Sequence, residues 1–211
     1  MPNQLNLCAV VLAGGKGSRM NGVDKGLQLL HSQSLVTHAI KRLQAQTLAV
    51  SAIAINANRN LRNYQDLGFE VWPDEQSDFA GPLAGFMVAM KHCAYPYLLT
   101  VPCDTPLFPL NLAEKLTQSL HSNDAEIAVA ATADVDGVLR RQPVFCVVKV
   151  SLKDSLQNFM AEGGRKISAW TALHKTVIVP FEVPKAFSNL NTTEDLRLLE
   201  GTTPHVNKSQ H

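Results

Sequence analysis

The stretch VVLAGGKGSRMNGVDKGLQLL, residues 10–30, changes abruptly from an apolar run to a loop rich in glycine and cations. The apolar run, residues 7–13, predicts a buried first strand, because it is short, continuous and followed by glycines. Glycine lets backbone N–H groups approach an anion closely and form a concave binding site. Open α/β sheets bind their ligands at the carboxyl ends of parallel strands. The stretch therefore predicts an α/β fold with a phosphate-binding loop after the first strand.

Three cations, Lys16, Arg19 and Lys25, lie in or beside this loop. They would supply positive charge to a polyphosphate, and a guanidinium can bind two phosphate oxygens at once. The alternative is a tight strand-to-helix turn whose cations face water. Two common glycine motifs do not fit: GxGxxG would need a glycine at Met20, and GxxxxGK[ST] fails at residues 23–24. The loop is therefore neither a dinucleotide fingerprint nor a P-loop.

Short apolar runs alternate with helix-period segments along the rest of the chain, a pattern typical of a parallel sheet covered on both faces. It predicts strands at 7–13, 50–56, 69–74, 97–104, 126–133, 141–150 and 176–181. It predicts helices at 34–46, 61–68, 82–93, 109–120, 151–162, 166–174 and 192–200, the last capped by Thr192 or Thr193. We expect strand 141–150 to be antiparallel. The predicted fold is a Rossmann-like three-layer α/β sandwich with a mostly parallel central sheet and at least one antiparallel strand.

Composition bounds the function further. The 211 residues suit one sizeable domain, predicted over 1–200, with a disordered tail at 201–211. A net charge of +1 argues against nucleic-acid binding through a global basic field. Four widely spaced cysteines predict reduced thiols and a cytoplasmic protein without zinc. Neither a signal peptide nor an apolar run of about 20 residues is found, so we expect no membrane span.

Polar side chains follow several of the predicted strands. Asp104, in PCDTP, would hold Mg²⁺ against phosphate oxygens, or it is a turn residue before Pro106. Asp74 would point into the same crevice from the end of the third strand. Asn56 ends the second strand, where its amide could bind a base or ribose, or could close an Asx turn. The segment GPLAG, residues 81–85, places a helix N-terminus beside this crevice.

These residues fall into a recognisable set of motifs. The pattern LAGGxxxRMxxxDK, spanning residues 12–25, resembles the signature of nucleoside-triphosphate transferases, and in particular of molybdenum cofactor guanylyltransferases. Four further segments occur in the same order and approximate spacing as in that family: INANRN (55–60), PDEQSDFAGPLAGFMVAM (73–90), VPCDTPLFP (101–109) and NLNTTEDL (189–196). The resemblance spans residues 7–198. It departs at Asn21, where the family usually has glycine; Asn tolerates a left-handed backbone better than most residues.

The resemblance implies a single nucleotidyltransferase domain that transfers GMP from GTP to molybdopterin, with Mg²⁺ as cofactor and release of pyrophosphate. It implies a nucleotide site formed by Leu12, Ala13, Gly14, Gly15, Lys16, Lys25, Asn56, Asp74 and Asp104. Lys25, Arg19 and Asp104 would be catalytic, and Asp104 would bind the metal. The pterin side would include Gly81, Pro82, Arg165, Lys166, Asn189 and Asn191, although Arg165 and Lys166 also suit a solvated turn.

Two alternatives stay open at this stage. A cytidylyltransferase acting on molybdopterin, or on a small polyol or sugar phosphate, would use a similar loop, because backbone contacts to a base leave little trace in sequence. A carrier that delivers the cofactor without catalysis is the alternative from another class. By resemblance, the partners are GTP and molybdopterin, with other cofactor-assembly proteins and recipient molybdoenzymes. We expect no nucleic acid, no membrane and a monomer.

Overall fold

The computed structural model describes residues 6–14, 24–75, 81–134 and 136–202. The strands are β1 (Leu7–Leu12), β2 (Leu29–Leu30), β3 (Gln33–Ser34), β4 (Ala52–Asn56), β5 (Glu70–Trp72), β6 (Tyr97–Pro102), β7 (Ile127–Ala133), β8 (Leu139–Lys149) and β9 (Thr176–Phe181). The α-helices are α1 (Leu35–Gln44), α2 (Leu61–Gln65), α3 (Pro82–His92), α4 (Leu112–Ser122), α5 (Lys153–Ala161), α6 (Ile167–Thr171) and α7 (Thr193–Thr202). Short 3₁₀ turns form at Lys25–Leu27, Val150–Leu152 and Pro184–Phe187.

Seven strands form one sheet in the order β5-β4-β1-β6-β8-β7-β9, and β2 pairs with β3 in a separate hairpin. In the large sheet β1 pairs parallel with both β4 and β6, and β7 pairs parallel with β9. β8 is antiparallel to both of its neighbours, β6 and β7. The mostly parallel sheet and the antiparallel strand at the predicted place are therefore confirmed.

The sheet is covered on both faces. β1 shows why: Leu7, Ala9 and Val11 belong to one core, whereas Cys8 and Val10 belong to the other. Successive side chains of a strand point to opposite faces, so a strand buried on both faces is apolar throughout. The first core also includes buried residues of α1, α2 and α4, and the second includes those of α3, α5 and α6. This arrangement confirms the predicted three-layer sandwich.

The last helix begins with a reciprocal cap. Thr192 Oγ1 accepts a hydrogen bond from Asp195 N at 3.1 Å, and Asp195 Oδ2 accepts one from Thr192 N at 2.8 Å. Of the two threonines that the sequence left open, Thr192 is thus the capping residue. The hydrogen bonds that the Asp195 carboxylate accepts from Thr192 N and Asn191 N lower its pKa. α7 continues through residues 201–202, past its predicted end, and the rest of the predicted tail lies outside the described residues.

No helix in the described part of the chain combines the length and the apolar character needed to cross a membrane.

The four cysteines are free thiols in different surroundings, which leads to a testable order of reactivity. Burial raises the pKa of Cys103 beyond the usual range and raises that of Cys146 to about 12. Cys93 is only half-buried, and the interaction with the neighbouring Cys8 thiol holds its pKa below the usual value. Since the thiolate is the reactive form, we expect iodoacetamide at pH 8 to alkylate Cys93 first. Peptide mass spectrometry over time measures the order, and earlier alkylation of Cys103 or Cys146 would contradict it.

Candidate active site

The strand order creates a natural place for a site. Within the sheet, β4 and β5 lie on one side of β1, and the chain then returns to place β6 on the other side of β1. Such a reversal opens a crevice at the carboxyl ends of the two central strands. These ends are aligned, because Cys103 N donates to Leu12 O at 3.1 Å and Ala13 N donates to Asn56 O at 2.8 Å. The glycine loop and the Asp104 turn therefore leave the sheet side by side.

A lysine and a carboxylate join the two segments. Lys25 Nζ lies 3.3 Å from Asp104 Oδ2 and donates to Asn191 Oδ1 at 2.6 Å. The two charged side chains are only 23% and 16% exposed, so solvent screens this pair less than a surface pair. The contact brings together three of the predicted site residues from the beginning, middle and end of the chain.

The Asp104 turn is fixed by the segment before α7. Leu190 N donates to Asp104 O at 2.8 Å, and the fully buried Thr105 donates from Oγ1 to Asn189 Oδ1 at 2.7 Å. These bonds hold Asn189 against the turn that carries Asp104. The structure thus places both predicted asparagines, Asn189 and Asn191, at the crevice.

A second cluster of polar side chains forms at the ends of β4 and β5. The buried Asn56 donates from Nδ2 to Asp74 Oδ1 at 2.8 Å and to Trp72 O at 2.9 Å. Asn58 donates to Asp74 Oδ2 at 2.6 Å and accepts from Asp74 N at 2.7 Å. Both oxygens of Asp74 are therefore bound by amides, which fixes the orientation of its carboxylate at the edge of the sheet.

Two glycines let this cluster pack closely against its neighbours. A Cβ atom at Gly14 would lie 2.9 Å from both Asn56 Oδ1 and Asn58 Nδ2, and one at Gly85 would lie 2.5 Å from Asn56 Oδ1. Asn58 Nδ2 also donates to Gly14 O at 3.2 Å. Both positions therefore require glycine. The absence of side chains there lets the start of the loop and the first turn of α3 pack directly against Asn56 and Asn58.

The residues predicted for the pterin side lie on two further segments. Gly81 has φ of +133°, a conformation that favours glycine, and it directly precedes Pro82 at the first position of α3. Arg165 donates from Nη1 to Met160 O at 3.0 Å and to Gly164 O at 2.8 Å. Lys166 is exposed and immediately precedes α6. Arg165 thus binds carbonyls of its own segment, between two helices on the sheet face that also carries α3.

Three predicted site residues lie outside the described part of the chain, and two residues that contact the site were not predicted from the sequence. Gly15, Lys16 and Arg19 lie outside the described residues. Asn58 and Thr105 were given no role from the sequence, although Asn58 shares the NAN motif with Asn56, and Thr105 directly follows Asp104. Proximity in a motif to a predicted ligand is the signal that would have indicated them.

A family model described as a MobA-like NTP transferase domain matches residues 9–177. The chain belongs to this family. It is 50% identical over 203 residues to the molybdenum cofactor guanylyltransferase of Albidiferax ferrireducens, covering 92% of this chain and 96% of the relative. It is 49% identical over 199 residues to the protein of that name from Bordetella petrii, covering 94% and 100% of the two chains. The family resemblance is therefore confirmed, and the chain is a nucleotidyltransferase.

Solved structures of the family and its neighbours agree with the fold. Molybdopterin-guanine dinucleotide biosynthesis protein A from Archaeoglobus fulgidus superimposes with a TM-score of 0.71 at 20% identity, covering 92% of this chain and 97% of the other. The 4-diphosphocytidyl-2C-methyl-D-erythritol synthase from Anaerococcus prevotii gives a TM-score of 0.72 at 12% identity, with 94% and 96% coverage. At these identities the similarity shows the MobA-like fold alone.

Proposed function

We propose that the protein transfers GMP from GTP to molybdopterin and releases pyrophosphate. The contact between Lys25 and Asp104 is the observation that carries the proposal, because it joins a cation of the glycine loop to a carboxylate at the ligand-binding edge. Relatives at 45–50% identity, spread over several bacterial genera, bear the name molybdenum cofactor guanylyltransferase. The name supports the choice of guanine and of the pterin acceptor.

The reaction is a nucleotidyl transfer. An oxygen of the terminal phosphate of molybdopterin attacks the α-phosphorus of GTP in line and forms a new P–O bond. The bond from the α-phosphorus to the bridging oxygen breaks, and pyrophosphate leaves with that electron pair. The attacking phosphate is ionised at neutral pH, so the protein does not have to remove a proton from it. Catalysis then rests on positioning and on neutralisation of charge, for which Lys25 is suited.

Asp104 fits the role of a magnesium ligand. Mg²⁺ prefers one or two carboxylates together with substrate phosphates and water, and Asp104 offers one carboxylate that is still 16% exposed. When bound, Mg²⁺ would neutralise charge on the phosphate oxygens. Thr105 and Asn189 keep the turn in place, and Lys25 supplies the neighbouring positive charge.

The rest of the crevice divides between nucleotide and acceptor. Leu12 and Ala13 would offer backbone groups to guanine, with Asn56 and Asp74 completing the nucleoside site; Gly15, Lys16 and Arg19 would bind phosphates. Asn189 and Asn191 adjoin Asp104 and would contact the acceptor near the reacting phosphate. The helix start at Gly81 and Pro82, with Arg165 and Lys166, would bind more of the pterin substrate. We further propose that the enzyme acts as a cytoplasmic monomer, passing its product to cofactor-assembly proteins or recipient molybdoenzymes.

The purified protein, [α-³²P]GTP, molybdopterin and Mg²⁺ test the proposal directly. We expect label to appear in a molybdopterin dinucleotide, with one pyrophosphate released for each labelled product. Parallel reactions with [α-³²P]CTP measure the base preference. More rapid incorporation from CTP would show a cytidylyltransferase, and binding of GTP without pyrophosphate release would show a carrier.

A further inference from the structure

A buried tyrosine binds the residue next to Lys25. Tyr64 of α2 is fully buried, and its hydroxyl donates to Asp24 Oδ1 at 2.6 Å. Asp24 Oδ1 also accepts from Gly26 N at 3.2 Å, which caps the 3₁₀ turn Lys25–Leu27. Asn60 Nδ2 donates to Asp24 Oδ2 at 3.1 Å. Asp24 thus connects the turn that carries Lys25 to α2 and to the residue preceding it.

The hydroxyl is a strong and permanent donor. Hydrogen bonds to a carboxylate are stronger than those between neutral groups, and the 2.6 Å of this O–H···O⁻ contact is typical of such bonds. Burial, and then the hydrogen bond to Asp24, raise the pKa of Tyr64 far above its ordinary value, so the hydroxyl keeps its proton at any working pH. The Tyr64 hydroxyl therefore remains a donor to Asp24 throughout the neutral pH range.

Packing reinforces the hydrogen bond. A Cβ atom at Gly26 would clash with Tyr64 Oη, so the tyrosine hydroxyl lies directly against the backbone of the turn. A Cβ atom there would also lie 3.3 Å from Cβ of Ala13, in the segment that leaves β1. The turn is consequently held between the tyrosine hydroxyl and the start of the glycine loop. Its position fixes the point from which the Lys25 side chain extends to Asp104 and Asn191.

We propose that Tyr64 is a positioning residue, which acts through Asp24 to hold the Lys25 ammonium where the nucleotide phosphates bind. Tyr64 itself contacts neither substrate. The proposal rests on the proposed function, because it takes Lys25 to be a phosphate ligand. A tyrosine that only filled the core would affect stability, but it would not affect the phosphates of the ligand selectively.

The test is a double-mutant cycle of Tyr64→Phe and Lys25→Ala, read by the dissociation constants for GTP and GMP. We expect Tyr64→Phe to weaken GTP binding about tenfold, because a lysine turn no longer held by Asp24 must be ordered when the phosphates bind, and to change GMP binding less than about twofold. In the Lys25→Ala background the same change should alter GTP binding less than about twofold, because no lysine remains to be positioned. Tyr97→Phe is the matched control. Tyr97 is the first residue of β6, whereas the site lies at the carboxyl end of that strand, and its hydroxyl contacts His121 rather than Asp24.

Equal weakening of GTP binding in both backgrounds, or equal weakening of GTP and GMP binding, would show a structural role and overturn the proposal. If Lys25→Ala leaves GTP binding unchanged, the proposal also fails. Should Tyr64→Phe not fold, Asn60→Gly replaces it in the cycle, because glycine accepts the φ of +50° at this position. We then expect the same selective loss at about threefold, since the Asn60 bond to Asp24 is longer, at 3.1 Å, and more exposed than that of Tyr64. A wild-type protein that binds CTP instead would refute the guanine specificity alone, and the cycle would be run with CTP and CMP. Binding of neither nucleotide would refute both proposals.

Discussion

Replacing Asp104 with Asn is expected to lower kcat by about 10³-fold while leaving the fold intact. The amide keeps the shape of the carboxylate but not its charge, so it is a poor ligand for Mg²⁺ and no longer pairs with Lys25. The backbone of the turn remains in place, because Leu190 N donates to the main-chain oxygen of Asp104 and Thr105 is held by Asn189. The loss should therefore appear in turnover rather than in stability.

Pyrophosphate release at saturating GTP and molybdopterin measures this effect, and thermal unfolding checks the fold. A second measurement is the broadening of the NMR resonances of bound GTP by Mn²⁺, and we expect this broadening to be much weaker in the variant. Asp154→Asn is the control, since Asp154 is exposed in the first turn of α5. If Asp104→Asn keeps more than about a tenth of wild-type turnover, well short of the effect of a lost metal ligand, the assignment of Asp104 is wrong.

Asn56→Asp should destabilise the protein by about 3 kcal/mol at pH 8, because it removes a buried donor and sets a carboxylate against Asp74. In the wild-type protein, Asn56 Nδ2 donates to Asp74 Oδ1 at 2.8 Å and to Trp72 O at 2.9 Å, and Asn56 is 2% exposed. Two carboxyl groups this close share a proton, which raises the folded-state pKa of the pair above that of the unfolded chain. Stability is then retained at low pH and lost as pH rises through the folded-state pKa.

Urea unfolding of wild type and variant at pH 5 and pH 8 measures the difference. We expect the loss relative to wild type to shrink to about 1 kcal/mol at pH 5. Asn158→Asp provides the control, because Asn158 is exposed on α5. A loss that is larger at pH 5 than at pH 8 would show that the new carboxyl group does not couple to Asp74.

The sequence was sufficient for the general shape of the fold and of the crevice. The apolar residues of β1 predict burial on both faces, and the carboxyl ends of parallel strands share one edge of a sheet. That reasoning places Lys25 near Asp104, although 79 residues separate them in the chain. Periodicity and topology together therefore locate residues that follow strands.

Contacts that depend on side-chain packing were beyond such reasoning. Tyr64 lies in a short helix and is paired with Asp24, 40 residues away, by a fit that no local pattern encodes. On β7, Val129 pairs with Cys146 of β8, but the next residue, Ala130, pairs with Gln142. The alternation of apolar and polar residues along a strand does not predict such an irregularity. The β2–β3 hairpin is too short, at two residues a strand, to give a recognisable alternation. Each of these features is set by tertiary contacts.

The bonds from residues 189–191 to the Asp104 turn and to Lys25 have a consequence for how the enzyme is made. The ribosome releases the chain from its N-terminus, so all seven strands of the sheet, the last ending at Phe181, emerge before these residues do. A polypeptide interrupted between β9 and Asn189 would contain the whole sheet and still lack one wall of the candidate cleft. Assembly of that cleft is therefore among the last events of biosynthesis.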